Sequence, residues 1–85
     1  MTDARQIEAE IIAQTRARGP SASICPSEVA PTLADEWRPL MHAVREAAVR
    51  LAQAGRIEIL RKGKPIDPAA IHGVVRLRAA AEATP

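Results

Sequence analysis

The chain has 85 residues, a net charge of +2 and 47% hydrophobic residues, with Trp37 its single aromatic. That length holds one domain, which buries about 60–65% of the unfolded chain's surface around one small aliphatic core. One cysteine, Cys25, excludes an intramolecular disulfide, no charged-then-apolar leader opens the chain and no apolar run is long enough to span a bilayer, so a reducing cytoplasm is the expected setting.

Residues 3–18 have the pattern of a first helix. Thr2 is placed to cap it, and Asp3 to meet the positive end of its dipole. Ile7, Ile11 and Ile12 recur at helical spacing, with Ala4 extending the stripe. Arg16 and Arg18 sit at the negative end. Gly19-Pro20 then stops the helix, because glycine accepts a left-handed cap and proline cannot continue the turn.

After a link over residues 20–24, a second helix is expected to start at Cys25. Pro26 falls in its first turn and Glu28 three residues after the cap, a capping-box layout with a thiol in place of the usual hydroxyl. Ile24 and Val29 occupy the two positions of a hydrophobic staple. Pro31 removes an internal hydrogen bond, which predicts a short or bent helix ending near Ala34.

A third helix follows a tight turn around Asp35. Trp37, Met41, Val44, Ala48 and Leu51 form one apolar stripe, with Trp37 expected as its largest core anchor. The opposite side carries Arg38, His42, Glu46, Val49, Arg50 and Gln53, with Arg45 on a flank. Pro39 is tolerable only in a first turn, so the regular helix begins near Arg38 or Pro39, and Gly55 ends it.

The hydrophobic period then changes from helical to alternating. Residues 56–61 read as a half-buried strand, Lys62-Gly63 as a tight turn, and Lys64-Pro65-Ile66 as the start of the return. Asp67-Pro68 interrupts it, since proline lacks the ladder N–H. Residues 74–78 are a second strand candidate with Val75 and Leu77 facing one way. Pairing of Ser23-Ile24 with these strands would complete a three-stranded edge. Residues 79–85 read as a flexible tail to a single domain over 1–78.

This order predicts an α+β, mainly α fold: a winged helix-turn-helix, three helices followed by a small antiparallel β-wing. The expected core is Ile7, Ile11, Val29, Leu33, Trp37, Met41, Val44, Leu51, Ile57 and Ile59.

Six stretches resemble a bacterial family known as domain of unknown function 3253. They are Cys-Pro-Ser-Glu-Val-Ala (25–30), Trp-Arg-Pro-Leu-Met (37–41), Val-Arg-Glu-Ala-Ala (44–48), Leu-Ala-Gln-Ala-Gly (51–55), Lys-Gly-Lys-Pro-Ile-Asp-Pro (62–68) and Gly-Val-Val-Arg-Leu-Arg (73–78). Pro31 departs from the pattern, where an ordinary helix former is expected. The resemblance implies a winged-helix-like domain and carries no activity, ligand or catalytic residues.

Charge distribution points to a partner. Residues 1–36 hold three arginines against six acids, a balance of −3, whereas residues 37–78 hold nine Lys or Arg against three acids, a balance of +6. Such asymmetry suits a polyanion, although ordinary surface solvation also produces it. The expected function is double-stranded DNA binding, as in a transcriptional regulator. Arg38, His42 and Arg45 on the third helix would face bases, and Arg61, Lys62 and Lys64 on the wing would meet phosphates, with Arg76 and Arg78 extending the surface.

The alternative is a protein-protein interaction module or homodimer without nucleic-acid binding, because Glu46 would repel phosphates and Val49 offers apolar contact. Cys25, His42 and His72 lack the paired spacings of a metal site. A lone cysteine without a placed base, and no phosphate loop or nucleophile elbow, argue against an enzyme, and no cofactor, small-molecule substrate or membrane partner is expected. Cys25 is expected to be a structural cap group.

Overall fold

The computed structural model describes residues 3–19, 21–71 and 73–80. It is an α+β, mainly helical fold, with three helical segments followed by a three-stranded antiparallel sheet.

The first segment is α1, Ala4–Arg18. Asp3 takes the N-cap: its carboxylate accepts from the Gln6 N–H at 3.0 Å, and the Gln6 side chain accepts from the Asp3 N–H at 2.9 Å. The capping role expected of Thr2 is therefore Asp3's, and Thr2 itself lies outside the described residues. Gly19, at φ +83°, closes α1 by donating to the Thr15 and Arg16 carbonyls. Pro20 also lies outside the described residues.

The second segment is two successive 3₁₀ turns, Pro26–Glu28 and Ala30–Thr32, where one short helix was expected. The break has a local cause. Pro31 supplies no N–H to the preceding turn and disfavours the α conformation at Ala30. The Val29 carbonyl accepts from both the N–H of Thr32 at 3.2 Å and its hydroxyl at 2.7 Å. The capping layout at Cys25 forms as read: its N–H donates to the Glu28 carboxylate at 2.8 Å. Ile24 and Val29, the staple pair, are both buried.

The third segment opens with a 3₁₀ turn over Arg38–Leu40 and continues as α2, Met41–Gln53. Val44, Ala47, Ala48 and Leu51 form its buried face. Trp37 and Met41 are only half-buried, which corrects the expectation that Trp37 anchors the core. Trp37 precedes the regular helix and packs on the core margin, where the Arg38 guanidinium lies 5.0 Å from its ring centroid. Leu33 likewise lies at the margin.

The sheet has the order β2-β1-β3, with β1 Ile57–Arg61, β2 Lys64–Pro65 and β3 Arg76–Ala79. β1 pairs antiparallel with both neighbours, placing Ile59 opposite Leu77 and Leu60 opposite Arg76. Lys62 at φ +53° and Gly63 at φ +81° make the two-residue turn between β1 and β2, as the left-handed turns of tight hairpins require. The second long strand starts two residues later than expected, leaving Val74 exposed, and runs into the expected tail. Ala79 pairs with Ile57, and Ala80 donates to the Arg56 carbonyl. Residues 81–85 lie outside the described residues.

Ile24 forms an antiparallel bridge with Leu77, with reciprocal N–H to carbonyl bonds of 2.8 Å. This is the pairing expected of the 23–24 link, and it binds the segment after α1 to the sheet. The core lies between α1, α2 and the inner face of β1 and β3, and includes Ile7, Ile11, Ile24, Val29, Val44, Leu51, Ile57, Ile59, Val75 and Leu77. Among the described residues no helix is long and apolar enough to cross a membrane.

Candidate nucleic-acid interface

The cations expected to touch a polyanion arise from three elements. Arg38, His42 and Arg45 follow at spacings of four and three, which sets them along one side of the third helical segment. Arg61 ends β1, Lys62 occupies the turn and Lys64 opens β2, opposite Arg61. Arg76 opens β3.

Each side chain has a distinct environment. Arg38 is exposed over the Trp37 ring. His42 is 84% exposed, with Nε2 3.2 Å from the Glu46 carboxylate. Arg45 reaches off the helix and donates from Nη2 to the Gly73 carbonyl at 2.8 Å. Arg61 donates from Nη2 to the Ala70 carbonyl at 3.1 Å. Lys62 and Lys64 are exposed. Arg76 donates from Nε to the Ser23 hydroxyl at 2.7 Å and from Nη2 to the Ser23 carbonyl at 2.8 Å.

The bonds of Arg45 and Arg61 converge on one loop, while those of Arg76 go to Ser23 in the link after α1. The chain between β2 and β3 makes a 3₁₀ turn over Pro68–Ala70, capped by the Asp67 carboxylate, and returns through Gly73. Arg61 holds one end of this loop and Arg45 the other. Ser23, Leu60, Arg61, Lys62, Gly63, Gly73, Val74 and Arg76 line a cleft of about 530 Å³ beside it. Arg61, Lys62 and Arg76 are thus brought together, and Arg45 joins them through Gly73. Arg38 and His42 do not line the cleft.

Other cations are committed to acids. Arg78 is ion-paired with Glu58 across the sheet, which separates it from Arg76 although two residues apart in sequence. Arg50 pairs with Glu8 at 2.8 Å, tying α2 to α1. Arg18 pairs with Glu28 at 3.1 Å. The Arg76–Ser23 and Arg45–Gly73 bonds span 53 and 28 residues and had no local signal.

Cys25 is half-buried, and the Ser27 hydroxyl donates to its sulfur at 3.0 Å. Among the described residues no three His, Cys, Asp or Glu side chains gather in a way that could hold a metal ion. His72, the third candidate ligand, lies outside the described residues.

A family model described as protein of unknown function (DUF3253) matches residues 4–80. No curated protein matches the chain.

Proposed function

The chain belongs to the DUF3253 family of proteins of unknown function, and we propose that it is a winged helix-turn-helix protein that binds double-stranded DNA as a transcriptional regulator. In this reading α2 enters the major groove and the β1–β2 hairpin lies against the phosphate backbone. The order of helical segments, the antiparallel hairpin and the bridge from Ile24 to β3 all support it.

The observation that carries the proposal is the bond from Arg45 to Gly73. It joins the N-terminal half of α2 to the loop whose Gly73 lines one cleft with Arg61, Lys62 and Arg76. Of the cations that would read bases, Arg45 is thus tied to those that would hold phosphates, while Arg38 and His42 lie off the cleft. Arg38 is exposed and able to meet a guanine edge, and His42 a base or phosphate. Arg61, Lys62 and Lys64 would position the duplex without specifying its sequence.

Lys62 adds a second argument. A non-glycine residue in the left-handed region costs about 1–2 kcal/mol, and asparagine or glycine is preferred at such a turn position. A lysine there puts a charge at the hairpin tip, where the proposed phosphate contact would use it.

Fluorescence anisotropy of random duplex DNA across a salt series tests the proposal. Contacts to roughly four or five phosphates give a slope of log K against log salt of about −4. Absence of duplex binding at low salt and micromolar protein overturns it and leaves the protein-interaction module as the function.

A further inference from the structure

The cleft beside the hairpin combines two features that phosphate contact alone does not use. Its wall includes Leu60 and Val74, and Val74 is 85% exposed, the one large hydrophobic side chain so exposed among the described residues. Its rim carries Arg61, Lys62 and Arg76, and among the described residues no carboxylate lines it. Isolated exposed valines are ordinary, but here the apolar surface is concave and bordered by charge of one sign.

Arg76 is also set in place. Ser23 accepts from its Nε and Nη2, which fixes the guanidinium plane and leaves Nη1 without a protein acceptor among the described residues. A cation whose rotamers are already restricted loses little freedom when it meets an anion. The volume, about 530 Å³, falls within the range of about 300–1,000 Å³ typical of small-molecule sites.

We propose that this cleft binds a small organic anion with an apolar body, of which an aromatic carboxylate is the simplest form. The carboxylate meets Arg76 and Lys62, and the ring covers Leu60 and Val74. Inorganic phosphate would leave the apolar wall wet, and a neutral aromatic would bring no charge to Arg76 and Lys62. The site does not depend on DNA binding.

The test is a titration of the intact chain with benzoate, followed by NMR through the methyl groups of Leu60 and Val74 and the Arg76 Nε–H. Benzoate is expected to shift all three together and saturably. Benzamide, matched in shape and uncharged, is expected to bind at least about tenfold more weakly, as is inorganic phosphate, a loss of about 1.4 kcal/mol each. Val74→Ser and Lys62→Gln change exposed side chains and keep the fold, and each is expected to weaken benzoate several-fold. Arg76→Gln is expected to weaken it most, with its folding checked by the Ile24 and Leu77 amide signals. The proposal is overturned by unsaturable shifts at millimolar benzoate, by equal affinity for benzamide or for phosphate, or by affinity unchanged in both Val74→Ser and Lys62→Gln.

Discussion

Val44 is fully buried on the inner face of α2, among side chains from every part of the core. Val44→Ala removes methyl groups that the surroundings cannot fully replace, and is expected to cost about 1–3 kcal/mol in urea unfolding. Thr15 is the contrasting case, a buried polar residue at 1% exposure. Its hydroxyl donates only to the Ile11 and Ile12 carbonyls of its own helix, at 2.9 and 3.2 Å. Those carbonyls keep their helical N–H partners without it. Thr15→Val keeps the volume and leaves no buried group unpaired, so its unfolding free energy is expected to stay within about 0.5 kcal/mol of the parent.

At the scale of elements, several of the bonds that hold the segment between α1 and α2 meet at Glu28. Its carboxylate accepts from the Cys25 N–H at 2.8 Å and from Arg18 on α1 at 3.1 Å. The Arg18 pair is half-exposed and contributes little, whereas the cap satisfies a backbone donor at the start of a turn. Glu28→Ala is expected to destabilise by about 0.5–2 kcal/mol, the usual cost of a lost cap, and Glu28→Gln by less because it keeps an acceptor. Equal losses in the two variants, read by thermal unfolding, would assign the effect to charge pairing with Arg18 instead. The proline at position 31 explains why this segment depends on caps: it forms 3₁₀ turns without a regular α-helical ladder.

At the scale of the whole molecule, the basic excess of residues 37–78 is divided by the fold. Arg50 and Arg78 are neutralised by Glu8 and Glu58, while Arg61, Lys62 and Arg76 gather at one cleft. Lys62→Ala is expected to weaken duplex binding alike for all sequences and to flatten the salt slope by about one unit. Arg45→Ala is expected to relax base preference, at about 1–3 kcal/mol if its contact to guanine is bidentate. Arg45 also restrains the Gly73 loop, so amide exchange around residues 73–76 separates the two roles. Faster exchange with base preference unchanged would make Arg45 a brace for the loop rather than a reader of bases.

Local chemistry determined much of this protein in advance. The helical spacing of Ile7 and Ile11, the stop at Gly19, the staple of Ile24 and Val29, the α2 stripe from Val44 to Leu51 and the Lys62-Gly63 turn were all legible. Each depends on residues within a turn or two of one another. The mainly helical α+β order and the family resemblance followed from the same short-range patterns. Tertiary structure decided what depended on distant partners. Trp37 left the core because the regular helix begins after it, and aliphatic side chains from α1, α2 and the sheet fill the interior. Arg76 and Arg78 share the outer face of β3, opposite the buried Leu77, and parted because their partners differ, Ser23 for one and Glu58 on the neighbouring strand for the other. The cleft itself came from the bonds of Arg45 and Arg61 to the loop before β3 and of Arg76 to the link after α1, which span 28, 9 and 53 residues. Such contacts have no periodicity, so only the folded arrangement could place those cations beside Val74.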